Sequence, residues 1–208
     1  RYFTEPGTKR GRVVYPDMDA ALRSHKLFVD RENPEHHNQQ TVLPDLIDVD
    51  MIEDFPHDYM HLVCLGVMRK LLRHWVARSA FNDIISQNSV DNISKRLVDL
   101  RNVIPTEFCR HPRSLVELCR WKATELRQFM LYTGPIVLKG LLPERLYNHF
   151  LCLHVAVKLL VSQQFCFKFN SYVKQLLRHF VKESEKLYGG HFISYNVHGL
   201  IHLADDVL

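Results

Sequence analysis

The chain has 208 residues, of which 46% are hydrophobic and 24% are charged, and its formal net charge is +4 at pH 7. These values are typical of a globular protein with a hydrophobic core, in one domain or a large piece of one. The mild positive charge permits an anionic partner but does not require one.

Two features of the sequence argue against membrane and secreted classes. The most apolar run, residues 62–76, is interrupted by Arg69, Lys70 and Arg73 and is therefore unsuited to a bilayer. The five cysteines form no CxxC pair, which predicts reduced thiols and an intracellular protein. The chain begins without Met or a signal-peptide pattern and ends within a predicted helix, so we expect further sequence on both sides.

Residues 1–55 lack a helical period and are punctuated by prolines and glycines, so we expect an irregular segment. Within it, residues 12–15 predict one short strand and residues 18–27 one short helix. The segment 43–55 mixes acidic and apolar residues and leads into the next helix. Its acidic residues could hold a divalent cation, but we expect them to be solvated, near the positive N-terminal end of that helix.

The sequence is organised around one predicted helix, called the central helix, which follows Pro56 and runs to Val76. From Leu62 onward its apolar residues recur with a period of 3.6, which predicts a wide buried face. The opposite face is expected to be solvated and basic, and its members are Arg69, Lys70, Arg73 and His74.

Asp58 and His61 stand three residues apart in the first turn of the central helix and should therefore share a face. We place them at the buried end of the helix, where a carboxylate can orient an imidazole by a hydrogen bond.

Helical periodicity recurs along the rest of the chain, and it predicts a mainly α fold with about seven packed helices in residues 56–208. Asn88 or Ser89 is the expected N-cap of the predicted helix at residues 89–104. Ser114 is expected to form a capping box with Glu117 at the start of the predicted helix 115–132, and Gly134 and Pro135 are expected to end that helix. The predicted ranges are 81–87, 89–104, 115–132, 143–160, 169–188 and 196–208, with a basic connector at 109–113.

His198 and His202 are spaced by four residues, which would let both rings reach one metal ion on a helix face. The zinc-protease motif needs Glu after the first His, and Gly199 occupies that place, so a metalloprotease is excluded. We predict structural or polar-face roles for the pair and no metal site.

Glu125 allows two interpretations that the sequence leaves open. It is either an ion-paired residue of a helix face, beside Lys122 and Arg127, or a buried functional acid.

Three segments of the chain resemble the CACTA (En/Spm-type) DDE transposases and their animal relatives. Residues 58–67 (DYMHLVCLGV) resemble the family's D-x-M-H-L-x-x-L-G-V segment. Residues 121–127 (WKATELR), followed by Leu131, Tyr132, Gly134 and Pro135, resemble its K-A-x-E-x-R-x-F-L-L-Y helix. Residues 193–203, which contain both His198 and His202, resemble its V-H-L-x-x-H-L segment. The three segments occur in the family's order and span about residues 10–208.

The resemblance implies a fragment of a DNA transposase, whose intact parent cleaves and joins DNA strands with an RNase H-like core. In that core, acidic residues hold two metal ions, expected to be Mg²⁺. Asp58 and His61 match the family's DxxH motif, which implies that they support the active site. The motif's place in the family implies that the catalytic acids precede Arg1 and follow Leu208, so this chain alone is expected to be inactive and to hold no cofactor.

The expected partner is DNA, bound weakly, and self-association is a further expectation; a membrane partner is not. The DNA contacts are assigned to two basic sets, which are Lys9, Arg10 and Arg12, and Arg69, Lys70 and Arg73. The expected location is the nucleus. One alternative is a non-catalytic helical interaction module, domesticated or decayed from a transposase, and another is a stand-alone metal hydrolase built on the histidine pair.

Overall fold

The computed structural model describes residues 3–4, 13–32, 34, 37–46, 48–77 and 84–207. In these ranges the chain forms helices α1 to α9 and one antiparallel pair of strands, β1 (Phe3–Thr4) and β2 (Val13–Val14). The helices are α1 (His25–Val29), α2 (Leu43–Leu46), α3 (Arg69–Val76), α4 (Gln87–Asp99), α5 (Ala123–Gln128), α6 (Gly134–Leu138), α7 (Glu144–Leu160), α8 (Asn170–Tyr188) and α9 (Tyr195–Gly199).

The mainly α prediction is confirmed, and seven α-helices, α3 to α9, follow Pro56 in the described part of the chain. The sheet in the same ranges consists of β1 and β2 alone, paired as Phe3 with Val14 and Thr4 with Val13. A two-stranded ribbon of this size is not an RNase H-like core.

The central helix exists as predicted, but its first half is wound differently. Met60–Met68 is a π-helical segment, and α3 continues it without interruption to Val76. The N–H of Arg69 closes the wider turn by donating to the carbonyl of Cys64, five residues back. The buried face is as broad as the periodicity indicates and consists of Leu62, Val63, Cys64, Val67, Met68, Leu71, Leu72 and Trp75.

The N-terminal predictions are partly confirmed. The strand predicted at residues 12–15 is present at Val13–Val14. The helix predicted at residues 18–27 is wrong in its bounds, since α1 starts only at His25. Ser24 fixes that start because its backbone is extended and its side chain accepts the N–H of Leu27 at 3.4 Å.

The helix predicted at residues 81–87 lies partly outside the described residues, and residues 84–86 are not helical. Helix α4 begins at Gln87, and its cap is Ser86, whose hydroxyl accepts the N–H of Ser89 at 3.1 Å. The predicted caps Asn88 and Ser89 are therefore wrong by two to three positions, because Ser86 has the extended backbone that a cap requires.

The single helix predicted over residues 115–132 is wrong. Leu115–Arg120 is a 3₁₀-helix, and the chain becomes extended at Trp121 before α5 begins. Ser114 does cap the 3₁₀-helix, by accepting the N–H of Val116 at 3.2 Å. The extended residue allows the Trp121 side chain to be buried in the core while α5 starts in a new direction.

Gly134 and Pro135 do not end the helix, contrary to the prediction. A π-helical segment, Phe129–Thr133, continues α5 and passes directly into α6. Pro135 stands in the first turn of α6, where the winding changes and a missing N–H is tolerated. The helix ends at Leu138, shortly before Gly140 with its φ of 73°.

The two long helices α7 and α8 have the predicted bounds within one residue. Pro143 precedes α7, and Gly189 ends α8 with a φ of 85°, a value that favours glycine. The last predicted helix, residues 196–208, is shorter: α9 ends at Gly199 and is followed by turns and by the 3₁₀-helix Asp205–Val207.

One hydrophobic core joins the central helix to α4 through α9. The N-terminal segment also packs on the C-terminal one, since the N–H of Tyr15 donates to the carbonyl of Ile193 at 2.8 Å. Within the described ranges, no helix combines the length and the apolar character needed to cross a membrane.

Candidate nucleic-acid interface

The carboxylate of Asp58 organises the start of the central helix. Its Oδ1 accepts the N–H groups of Met60 at 2.7 Å and His61 at 3.1 Å, which satisfies two donors that the helix leaves open. Its Oδ2 lies 2.8 Å from Nδ1 of His61. Because an ionised carboxylate only accepts, Nδ1 is the donor in this bond, and Nε2 is turned away from it.

The pair is exposed, contrary to the expectation that it lies at a buried end. The side chains of Asp58 and His61 are 58% and 66% accessible, because burial along the helix begins only at Leu62. The hydrogen bonds from the His61 side chain and backbone N–H lower the pKa of Asp58. The pair therefore presents an oriented imidazole to solvent.

The face predicted to be solvated and basic is largely used for packing. Nη2 of Arg69 donates to the carbonyl of Trp121 at 2.8 Å, and Nζ of Lys70 donates to the carbonyl of Phe192 at 2.7 Å. Burial lowers the pKa of His74, while Arg73 is exposed. The expectation of a uniformly solvated face is wrong because long cationic side chains reach over their apolar neighbours to backbone carbonyls. The other basic set, Lys9, Arg10 and Arg12, lies outside the described residues.

A groove runs along the connector between α4 and α5, and we call it the basic groove. It consists of two adjoining clefts that share Cys109 and Arg110. The remaining lining residues are Arg101, Asn102, His111, Arg113 and Glu125 in one cleft, and Met60, Leu65, Arg69, Lys122, Ala123 and Thr124 in the other.

Glu125 is both buried and ion-paired, and its partner is Arg113 instead of Lys122 or Arg127. Nε of Arg113 meets Oε1 at 2.6 Å, and Nη2 meets Oε2 at 2.9 Å. Oε2 also accepts the N–H of Lys122 at 2.8 Å, which caps α5. Burial acts to raise the pKa of Glu125, but the bonds from Arg113 and Lys122 outweigh it and hold the pKa below its usual range.

The side chains of His198 and His202 pack against residues that precede the central helix, namely Tyr15 and His57. Nδ1 of His198 bonds to the carbonyl of Tyr15 at 2.9 Å, and the ring of His202 is parallel to that of His57 at 6.0 Å. Burial lowers the pKa of both His198 and His202. In the part of the chain that the structure describes, no three His, Cys, Asp or Glu side chains lie together as a metal site.

Gly199 has a steric role. A methyl group on this glycine would come within 2.6 Å of the Leu62 side chain, on the first turns of the central helix. The position where a zinc protease carries Glu is therefore the place where α9 approaches the central helix closely.

The basic groove brings together residues that lie on different elements of the chain. Arg69 was predicted as a DNA contact and does line the basic groove, whereas Lys70 and Arg73 do not. Arg101, Arg110 and Lys122 were not assigned to a site, although the basic connector at 109–113 was a signal for one.

Comparisons of the chain with protein-family models, with curated proteins and with solved structures gave no match. The likeness to transposases therefore rests on the residues of the three matching segments.

Proposed function

We propose that this chain is the helical part of a DNA transposase-like protein of the CACTA type. Its intact form would cleave and join DNA strands in the nucleus. The observation that carries the proposal is the geometry of the DYMH segment, where a capping carboxylate holds an exposed imidazole by a 2.8 Å hydrogen bond.

The Asp58/His61 pair suits a group that supports chemistry on a phosphate. The bond to Asp58 fixes the ring of His61 with Nδ1 as donor, so that Nε2 faces solvent. When protonated, this nitrogen can donate a hydrogen bond to a phosphate oxygen, and a positioned donor stabilises developing negative charge. Asp58 acts as a positioning residue in this scheme.

The described residues do not themselves fit the Mg²⁺ ions that transposases require, since they place no three candidate ligands together. On this proposal the acids that hold the metal belong to other parts of the parent protein. On the same proposal the chain supplies DNA contacts and the imidazole, and no cleavage step is assigned to it.

The direct test is the sequence of the full-length transcript. We expect a strand-rich segment with two aspartates before residue 1 and a glutamate after residue 208. A transcript that encodes neither would contradict the proposal and favour a helical interaction module.

A second test uses the intact parent in an excision assay. His61→Gln should strongly reduce excision, because glutamine cannot carry the proton, while thermal unfolding changes little. Lys182→Gln, an exposed change on α8, is the control. Excision at the wild-type level by the His61 variant would remove any role in chemistry.

A further inference from the structure

We infer that the basic groove binds the phosphate backbone of DNA. This inference rests on the proposed function and deepens it, because it names the contact surface. The surface differs from the one that the sequence suggests, since three of its cations, Arg101, Arg110 and Lys122, lie on the segment between α4 and α5.

The first argument is the balance of charge in the groove. Four lining cations, Arg69, Arg101, Arg110 and Lys122, form no ion pair with an acidic side chain in the described ranges. The lining acid among these residues is Glu125, which is 4% accessible and is occupied by Arg113. The groove therefore keeps a surplus of positive charge at its surface.

The second argument is that two of the cations are held in place without being neutralised. Nη2 of Arg69 donates to the carbonyl of Trp121 at 2.8 Å, and Nε of Arg101 donates to the carbonyl of Pro112 at 2.7 Å. A carbonyl partner restricts the side chain but leaves its full charge, and each guanidinium has further N–H donors. Ordering these side chains in advance lowers the entropic cost of binding an anion.

The third argument is access. Arg101, Arg110 and Lys122 are exposed, and Arg110 and Lys122 line the same cleft as the apolar residues Met60 and Leu65. Cations beside apolar surface suit a nucleic-acid strand, which has charged phosphates and less polar sugars.

The fourth argument is the position of the groove relative to the Asp58/His61 pair. Met60 lines the groove and directly precedes His61, and Leu65 follows His61 by one helical turn. Neither Asp58 nor His61 lines the groove, but the segment that carries them supplies part of its lining. A DNA strand that continued from the groove along this segment would bring a phosphate toward the exposed imidazole.

An extended polyanion fits the arrangement better than a single small anion. The four cations come from four positions of the chain and are spread over two adjoining clefts. A single phosphate can be contacted by one or two of them, whereas successive phosphates of a strand can be contacted by all.

The test measures binding of the purified chain to a fluorescently labelled DNA duplex at several salt concentrations. The groove variant combines Arg110→Ala with Lys122→Ala, two exposed side chains that form no ion pair within the described residues. The control variant combines Arg145→Ala with Lys182→Ala, which removes the same charge from exposed positions of α7 and α8.

We expect the groove variant to bind roughly tenfold more weakly or worse, and its slope of log K against log salt to be shallower by about two. The control variant should keep the wild-type slope. Equal losses in the two variants would overturn the groove as the contact surface.

An independent measurement uses the wild-type chain and its own cysteines. Cys109 is exposed and lines both clefts, whereas Cys119 is exposed and lines neither. Bound duplex should slow the alkylation of Cys109 and leave that of Cys119 unchanged. Equal rates for Cys109 with and without DNA would contradict the inference.

These outcomes separate the inference from the proposed function. The chain could bind DNA with an affinity that the groove variant does not weaken and without slowing the alkylation of Cys109. That result would overturn the groove as the contact surface and leave the transposase proposal in place. Groove binding by a chain whose transcript lacks the catalytic acids would leave the groove in place and overturn the transposase proposal. A wild-type chain that binds no DNA at low salt would contradict both.

Discussion

The hydroxyl group of Tyr188 lies 3.3 Å from Nδ1 of His149 in the centre of the core. Nε1 of Trp75 donates to the same hydroxyl at 3.2 Å, so the hydroxyl proton is directed to His149. Nε2 of His149 then carries the ring proton and donates to the carbonyl of Phe180 at 3.0 Å. This network joins α3, α7 and α8 and requires a neutral imidazole.

We expect the stability of the protein to fall in mild acid because of His149. Burial lowers the pKa of His149 from 6.5 to about 4. The unfolded chain therefore binds a proton at a higher pH than the folded one, and the contribution of the neutral ring is complete above pH 6.5 and lost as the pH falls to about 4. The full effect is roughly 3 kcal/mol.

Chemical unfolding of wild type and His149→Gln at pH 7 and at pH 4.5 measures this contribution. The free-energy gap between the two proteins should narrow at the lower pH. Burial also lowers the pKa of His74, His198 and His202, so these residues destabilise both proteins in acid. The difference in the free energy of unfolding between wild type and variant therefore isolates the contribution of His149. Gln175→Ala, which changes a neutral side chain at an exposed position of α8, serves as the control and should show the same gap at both values.

Glu125→Gln should destabilise the chain by about 2–3 kcal/mol at pH 7, since Arg113 loses the carboxylate that binds two of its donors. The pKa of Glu125 is depressed in the folded state. Its contribution is therefore present above the unfolded pKa of about 4.5 and is lost as the pH falls through the lower folded value.

Denaturant unfolding at pH 7 and at pH 3 checks this result, with Glu117→Gln as the matched variant. Glu117 contacts the same guanidinium at 3.4 Å but is 38% accessible, so its loss should cost less than about 1 kcal/mol. Similar losses in the two variants would show that burial of Glu125 is not what gives the pair its strength.

Gly66→Ala should destabilise the chain by about 1–3 kcal/mol, although alanine favours a helix. A methyl group at this position would lie 2.8 Å from Cγ of Asn196 on α9 and 2.8 Å from the carbonyl oxygen of His61. Thermal unfolding measures the loss. Gly190→Ala is the comparison, because its methyl would have 3.8 Å of clearance, and a stability as low as that of the Gly66 variant would refute the steric explanation.

Asp58→Ala should lower the melting temperature more than His61→Ala does. Asp58 accepts two backbone N–H groups at the helix start, whereas His61 contributes one exposed side-chain bond. Asp58→Asn, which keeps an oxygen acceptor, should recover most of the loss. If His61→Ala were the more damaging of the two, the imidazole would have a structural role that its exposure does not suggest.

The periodicity of the sequence was sufficient for the mainly α class, for the central helix and for α7 and α8. In each of these, apolar side chains repeat with the helical period, and burial of one face stabilises the helix independently of its exact neighbours. The turn residues Pro143 and Gly189 marked true boundaries for a similarly local reason, since their backbone preferences act wherever they stand. The spacing of Asp58 and His61 likewise predicted their shared face.

Only the tertiary structure decided features that depend on contacts between distant residues. The π-helical winding of Met60–Met68 accompanies the close approach of α9 through Gly66 and Gly199, and a period of 3.6 carries no sign of it. The exposure of the Asp58/His61 pair follows from where the core begins. Glu125 pairs with Arg113 because the connector that carries Arg113 lies beside the start of α5, after the chain has become extended at Trp121. Charge and burial at such positions are properties of the assembled fold, since they depend on which segments of the chain meet there.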